Sequence, residues 1–244
     1  GNDPFQFDHY VQWANAASGC DLDAYAVSVP ACASNEVAPQ AYLRAQPNGA
    51  LLGVGNVRYL VADHDLSQRP SLVWQSGSVR VYENPAVLPR AFVVPAVMVE
   101  ADDADALALL QVHGLTAVAV VPRVSEDMLP SGAQYRAARV VCWTPNLIEV
   151  QTHGPGWLVL STVWSPGWQA FVDGVRTEVY RTDVAFCGLP LPDGLHTVTL
   201  RYAPVGWVWG RRVSLVVVVV VVAATVAVFW KRYRVRTMLT RPYS

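Results

Sequence analysis

Charged side chains are scarce in this sequence. Asp, Glu, Lys and Arg together make up 15% of the chain, and the formal net charge is −1. Outside the last residues of the chain there is no cluster of Lys and Arg, the feature with which a protein binds the phosphates of a nucleic acid. The composition therefore argues against a nucleic-acid partner.

The short motifs of hydrolases and nucleotide-binding enzymes are also absent. The sequence contains no HExxH, no GxSxG, no P-loop and no dinucleotide glycine fingerprint. Asp63, His64 and Asp65 are consecutive, but consecutive residues at the end of a strand point in different directions and make a poor metal site. We therefore expect this segment to hold no metal, no cofactor and no catalytic residue.

Neither a methionine nor a signal peptide stands at the start of the chain, which begins with Gly1. A domain that crosses a membrane needs an export signal. We therefore expect the sequence to be a fragment or a processed product of a longer protein.

Cysteine is sparse, and its spacing is not that of a zinc site. The four residues are Cys20, Cys32, Cys142 and Cys187. In an oxidising compartment an even number allows two disulfides, of which Cys20–Cys32 would close a short loop and Cys142–Cys187 would join two strands. Alternatively, Cys142 and Cys187 are small buried apolar residues. The sequence leaves both readings open.

A long uncharged run lies near the C-terminus. Val213 to Trp230 is mostly valine, and about 18 residues form a helix of about 27 Å, close to the ~30 Å thickness of the hydrocarbon core of a bilayer. A buried strand or an aggregation-prone run is the alternative, but the run is too long for an ordinary strand and is bounded by charge. We predict a transmembrane helix over residues 207–230.

Positive charge is unequal on the two sides of this run. Arg211 and Arg212 precede it, and a larger cationic set follows it: Lys231, Arg232, Arg234, Arg236 and Arg241. Because positive residues stay on the cytoplasmic side, we predict a cytoplasmic basic tail over 231–244 and an extracytoplasmic location for the bulk of the chain. The lipid bilayer is the first predicted partner.

The N-terminal half shows two kinds of pattern. Residues 1–50 form a loop and helical segment, with helices expected at His9–Ala17 and Ala38–Ala45, and we expect it to pack on a missing upstream membrane part. Residues 51–135 alternate short strands with one acidic-capped amphipathic helix, Ala101–Val112, and are expected to form a small α/β subdomain.

Residues 136–206 read as a series of short strands separated by turn residues. The turns are Gly154-Pro155-Gly156, Asp173-Gly174 and Pro192-Asp193-Gly194, together with two shorter Pro-containing turns. This spacing favours a β-sandwich. The predicted fold is mainly β: an extracytoplasmic β-sandwich with a small α/β N-terminal part, followed by one C-terminal transmembrane helix.

Two spaced motifs carry a family resemblance. SPGWQAFVDG (165–174) is followed by LPDGLHTVTLRYAP (191–204), a short linker and the apolar helix. From about Leu51 to Trp230 the chain resembles the C-terminal part of the YfhO-type bacterial membrane proteins. The resemblance implies a large polytopic protein similar to GT-C glycosyltransferases, which move a sugar from a polyprenyl-phosphate carrier to an acceptor outside the membrane. The family's catalytic residue lies in an early extracytoplasmic loop that this chain lacks, so none is carried over.

Four residues of these motifs are candidate ligand-binding residues: Trp164, Trp168, Asp173 and His196. Aromatic faces stack on sugar rings, and a carboxylate accepts hydrogen bonds from hydroxyl groups. The alternative is structural, because Trp168 could fill the core, Asp173 could form a tight turn and His196 could bond to a loop carbonyl.

We therefore expect a non-catalytic extracytoplasmic domain of a GT-C-like protein. Its expected partners are the upstream membrane helices of the same protein and either a polyprenyl-phosphate sugar or an envelope glycan. The alternative is a single-span, membrane-anchored module that binds glycans or acts as a scaffold.

Overall fold

The computed structural model describes residues 8–19, 46–66, 71–125 and 134–239. The chain forms two compact units, one ending at Tyr202 and one beginning at Ala203. The predicted fold class is confirmed, with an eight-stranded antiparallel sheet, a small α/β part before it and one long apolar helix at the C-terminal end. The predicted Ala38–Ala45 helix and the Cys20–Cys32 pair lie outside the described residues.

The elements are numbered in chain order. The helices are α1 (Asp8–Ser18), α2 (Gly49–Val54), α3 (Asp103–His113) and α4 (Val205–Leu239). The strands are β1 (Tyr59–Ala62), β2 (Ser71–Ser76), β3 (Val79–Glu83), β4 (Ala91–Val94), β5 (Ala96–Val99), β6 (Val118–Val121), β7 (Arg136–Ala137), β8 (Arg139–Trp143), β9 (Leu147–Val163), β10 (Trp168–Val172), β11 (Val175–Thr177), β12 (Tyr180–Thr182) and β13 (Phe186–Tyr202).

Two 17-residue strands, β9 and β13, form the centre of the main sheet. The strand order is β11-β10-β13-β9-β4-β7, with β12 also paired to β13 and β8 to β9. The predicted turns Gly154-Pro155-Gly156 and Pro192-Asp193-Gly194 are therefore wrong, since both lie inside these strands. Pairing continues through them with a register shift between Leu191 and Gly194, so the residues bend the two strands together instead of reversing the chain.

The bend folds the sheet over on itself. Tyr202 shows this, because its N–H donates to Asn146 O at 3.0 Å, just before β9 begins, while its hydroxyl lies 3.3 Å from Ser165 Oγ, just after β9 ends. Both ends of β9 therefore meet at one tyrosine. The predicted sandwich consists of two halves of a single sheet.

An apolar cluster fills the space between the two halves. It includes Ile148 and Val150 from the first half of β9 and Leu158 and Leu160 from the second. Alternate residues of the second half, Trp157 among them, face the opposite way and join a second cluster with α1, α2 and α3. The second half of β9 is therefore buried on both faces.

The α/β part packs on that second cluster. In α1, which lies where a helix was predicted, the Trp13 ring meets the Phe186 ring edge-on at a centroid distance of 4.9 Å. The predicted Ala101–Val112 helix is confirmed as α3, and the Asp102 carboxylate caps it by accepting from the N–H groups of Ala104 and Asp105. Through α3, β5 connects to the parallel strand β6.

A separate three-stranded sheet has the order β1-β3-β2. A β-branched and aromatic run such as that of β1 is typical of a mostly buried strand, but Tyr59 and Val61 are 51% and 70% exposed. Such a run predicts a strand, and it does not predict how much of the strand other parts of the protein cover.

The second unit contains α4, a helix of 35 residues. Its Trp209–Ala227 stretch is long and apolar enough to cross a bilayer, and no part of it is buried in the protein. The Thr225 hydroxyl donates back to the main-chain oxygens of Val221 and Val222 at 2.5 and 3.0 Å. This satisfies a polar group of the run within the helix itself.

Candidate functional site

An open cleft of about 350 Å³ lies beside β11, an edge strand of the main sheet. We call it the tryptophan cleft. It is lined by Trp164, Ser165, Pro166, Trp168, Gln169, Arg176, Thr177, Glu178 and Val179. Small-molecule sites occupy roughly 300–1,000 Å³, so the cleft has room for a small ligand.

Hydrogen bonds hold both indoles of the tryptophan cleft in place. Trp164 Nε1 donates to Val179 O and Trp168 Nε1 donates to Val163 O, each at 3.2 Å. The Trp168 ring also packs on Tyr202, with ring centroids 5.2 Å apart. Both indoles are half-buried and pack against the core between the sheet halves. They therefore extend the core and form a cleft wall at the same time.

The polar rim of the tryptophan cleft is set by the β10–β11 hairpin. The predicted Asp173-Gly174 turn is confirmed, with φ values of 51° and 84°. Its register pairs Ala170 with Thr177, and one further step along both strands brings Glu178 opposite Gln169. The side chains of Gln169, Arg176 and Glu178 form no hydrogen bond or ion pair with any described residue. Sequence reasoning missed all three, although the two-residue turn was sufficient to derive this register.

Asp173 and His196, the other two candidates, pair with each other at a different place. His196 Nδ1 lies 2.6 Å from Asp173 Oδ2, and Asp173 Oδ1 accepts from the Thr197 N–H at 2.9 Å. These two hydrogen bonds, the one from His196 first, lower the pKa of Asp173. Pro192 O lies 3.2 Å from His196 Nε2, so both ring nitrogens face oxygen acceptors. The pair ties the β10–β11 turn to the bend of β13.

The two pairs of candidates are thus separated. Trp168 begins β10 and Asp173 follows its last residue, which puts them roughly 16 Å apart along the strand. The structure brings Trp164 and Trp168 together in the tryptophan cleft, whose lining includes neither Asp173 nor His196.

Asp183 has a carboxyl group that is completely enclosed by protein. The sequence did not indicate this residue as a candidate. Its N–H donates to Val120 O at 2.7 Å, and its Oδ1 accepts from the Val120 N–H at 2.9 Å, which clamps the chain between β12 and β13 to β6. Oδ2 has no hydrogen-bond partner among the described residues. Burial raises the pKa of Asp183 to about 7. No sequence signal could have identified it, because a polar residue between two strands usually lies in an exposed turn.

A second charged pair connects the sheet to the helical part. Arg181 Nη1 donates to Asp103 Oδ1 at 2.6 Å and to Val184 O at 3.1 Å. Beside this pair, burial and then the Arg181 charge lower the pKa of His9, whose Nε2 lies 3.4 Å from Trp164 O. These groups join α1, α3 and the β12–β13 connection.

The remaining candidates are the cysteines and the acidic clusters. Cys142 and Cys187 are both free thiols, so the Cys142–Cys187 disulfide that the sequence allowed is not formed. Cys187 is a member of the apolar cluster between the sheet halves, and burial raises the pKa of its thiol. In the part of the chain that the structure describes, no three His, Cys, Asp or Glu side chains are placed to hold a metal ion.

Residues 133–214 match the model of the family described as bacterial membrane protein YfhO. The resemblance to the YfhO family is confirmed over this segment. The match begins just before β7 and ends inside α4, so it includes both long strands, β9 and β13, and everything between them. The YfhO match links the sandwich to a family of bacterial membrane proteins.

Among solved structures, the cryo-electron microscopy structure of the arabinofuranosyltransferase AftD from Mycobacteria is similar to part of the chain. The sequence identity is 25%, the match covers 32% of this chain and 6% of that chain, and the TM-score is 0.25. The present chain thus matches only a small part of the AftD chain. No curated protein matches the sequence.

Proposed function

We propose that this chain is the C-terminal extracytoplasmic domain and last membrane helix of a polytopic membrane protein that resembles the GT-C glycosyltransferases. Such enzymes transfer a sugar from a polyprenyl-phosphate carrier to an acceptor of the cell envelope. One observation carries the proposal: the YfhO match runs without interruption from the sandwich into α4. The matched segment thus joins the β domain to the first residues of α4, which supports reading the two as parts of one membrane protein.

In this proposal the segment is an accessory domain and not the catalytic one. Three ionisable groups of the β domain each form a hydrogen bond or ion pair with another part of the fold. Asp173 is bonded to His196, Arg181 is bonded to Asp103, and Asp183 is clamped to β6. A general acid or base needs access to its substrate, and these arrangements support a scaffolding role for the groups concerned.

The gene upstream of the Gly1 codon tests the proposal. We expect it to encode several further hydrophobic spans and an early extracytoplasmic loop with a carboxylate. A secretory signal peptide directly before Gly1 would instead establish a single-span protein. As a second arm, the purified chain in detergent is expected to transfer no labelled sugar from polyprenyl-phosphate donors. Transfer by this chain alone would contradict the accessory role.

A single-span, membrane-anchored module that binds glycans or serves as a scaffold is the second candidate. The tryptophan cleft favours its glycan-binding form, because two fixed indoles beside polar side chains are a common arrangement for holding a sugar. The upstream sequence separates the two candidates directly.

A further inference from the structure

We propose that the tryptophan cleft binds a neutral pyranose ring, the class of ligand whose faces are apolar and whose rim carries hydroxyl groups. The proposal deepens the proposed function and rests on it for the origin of the ligand, a cell-envelope glycan. The binding itself is argued from the cleft.

The tryptophans supply a rigid apolar wall. Their Nε1 groups are both engaged by main-chain oxygens at 3.2 Å, so the indoles present ring surface and no free polar atom to a ligand. Rings that are already held in position lose little conformational entropy when a ligand binds. A sugar presents C–H groups on its ring face, and these pack against aromatic carbon.

The polar rim selects a neutral ligand. Arg176 carries only donors, Glu178 only acceptors, and the amide of Gln169 carries both. A hydroxyl group both donates and accepts, so a ring bearing several hydroxyls can use all three side chains. Because Arg176 and Glu178 carry opposite charges in the same cleft, their effects on a bound ion offset each other, and the rim favours neither an anion nor a cation.

The rim side chains are also available for binding. Arg176 and Glu178 are exposed, Gln169 is half-buried, and none of the three is paired with any residue that the structure describes. A ligand therefore competes with water and not with an internal hydrogen bond, so binding breaks no contact of the fold.

The test uses the full chain in lipid nanodiscs and saturation-transfer NMR. The probes are the methyl pyranosides of D-glucose, D-galactose and D-mannose, with inorganic phosphate as the anionic probe. We expect magnetisation transfer from the protein to the ring C–H protons of at least one glycoside. We expect no binding of phosphate, which would be detected as broadening of its phosphorus resonance. Binding of phosphate without a glycoside, or binding of no glycoside, would overturn the proposal.

Substitutions at the rim locate the binding. Arg176→Ala and Glu178→Ala change exposed side chains, so the fold is retained, and each is expected to weaken glycoside affinity about tenfold. Trp74→Ala removes a tryptophan that is 54% exposed on β2 and serves as the matched control, with no change expected. Trp164→Ala should abolish binding. Because Trp164 also packs against the core, this variant can fail to fold, and in that case the two rim variants test the proposal by themselves.

Glycoside binding that survives both rim substitutions, or that is lost in Trp74→Ala, would contradict this assignment. Loss of the cleft proposal leaves the accessory role standing, because the upstream gene decides that role without any binding measurement. An upstream signal peptide would remove the accessory role and leave a positive binding result intact.

Discussion

Asp183 illustrates how burial acts on a single ionisable residue. Its carboxyl is enclosed, one oxygen accepts a main-chain N–H, and the other has no partner among the described residues. Desolvation disfavours the charged form, which is why the pKa rises to about 7 from an ordinary value near 4. Because the folded state holds the proton more tightly, this group contributes stability below about pH 4 that is lost as the pH rises through about 7.

Asp183→Asn should remove this pH dependence. The neutral amide keeps an oxygen for the Val120 N–H, and asparagine tolerates the φ of 50° found at this position. At pH 8 we expect the variant to unfold at a higher temperature than the parent, with a gain on the order of a few kcal/mol at most, and at pH 4 we expect the difference to shrink. Thermal unfolding of the full chain in detergent at a series of pH values measures both.

Asp193→Asn is the control for this effect, since Asp193 is exposed on β13. Its unfolding profile should follow that of the parent at every pH. Equal profiles for the Asp183 variant and the parent between pH 4 and pH 8 would show that Asp183 is ionised at little cost in the folded state.

At the scale of elements, the bend shared by β9 and β13 depends on a close approach of two backbones. A Cβ at position 154 would lie 1.8 Å from Pro192 O, an atom of the partner strand that has no side-chain freedom to move away. Glycine is therefore required where the two strands bend together.

Gly154→Ala should consequently destabilise the sandwich. We expect the free energy of unfolding to fall by about 3 kcal/mol or more, with a matching loss of near-ultraviolet circular dichroism from the packed tryptophans. Gly206→Ala is the control, because nothing lies within 4 Å of an added Cβ at that position of α4. A Gly154 variant as stable as the Gly206 variant would mean that the bend adjusts without strain.

For the whole molecule, the distribution of positive charge predicts which way the chain crosses the membrane. The cationic residues after the apolar run outnumber Arg211 and Arg212 before it, which favours a cytoplasmic tail and an external sandwich. Protease added to right-side-out vesicles is then expected to digest the strand-rich portion and spare the terminal residues, as mass spectrometry of the membrane-bound remainder would show. A protected sandwich with a trimmed tail would reverse the assignment.

Features that depend on residues close together in the chain could be predicted from the sequence alone. The uncharged run predicted the helix that became α4, Asp173-Gly174 predicted its hairpin, and the acidic start of α3 predicted its cap. The two spaced motifs predicted the YfhO family over a segment that the family match confirms. Each of these signals is complete within a short stretch of chain, so no distant contact is needed to read it.

Features that depend on residues far apart in the chain became visible only in the folded protein. Pro-Gly runs at 154–156 and 192–194 predict turns, and only the pairing of β9 with β13 converts them into a shared bend. The same pairing separates Asp173 from Trp168 and encloses Asp183, whose neighbour Val120 lies 63 positions away. Burial, cleft shape and pKa arise when segments distant in sequence exclude water from one another, and a local pattern contains no information about which segments will meet.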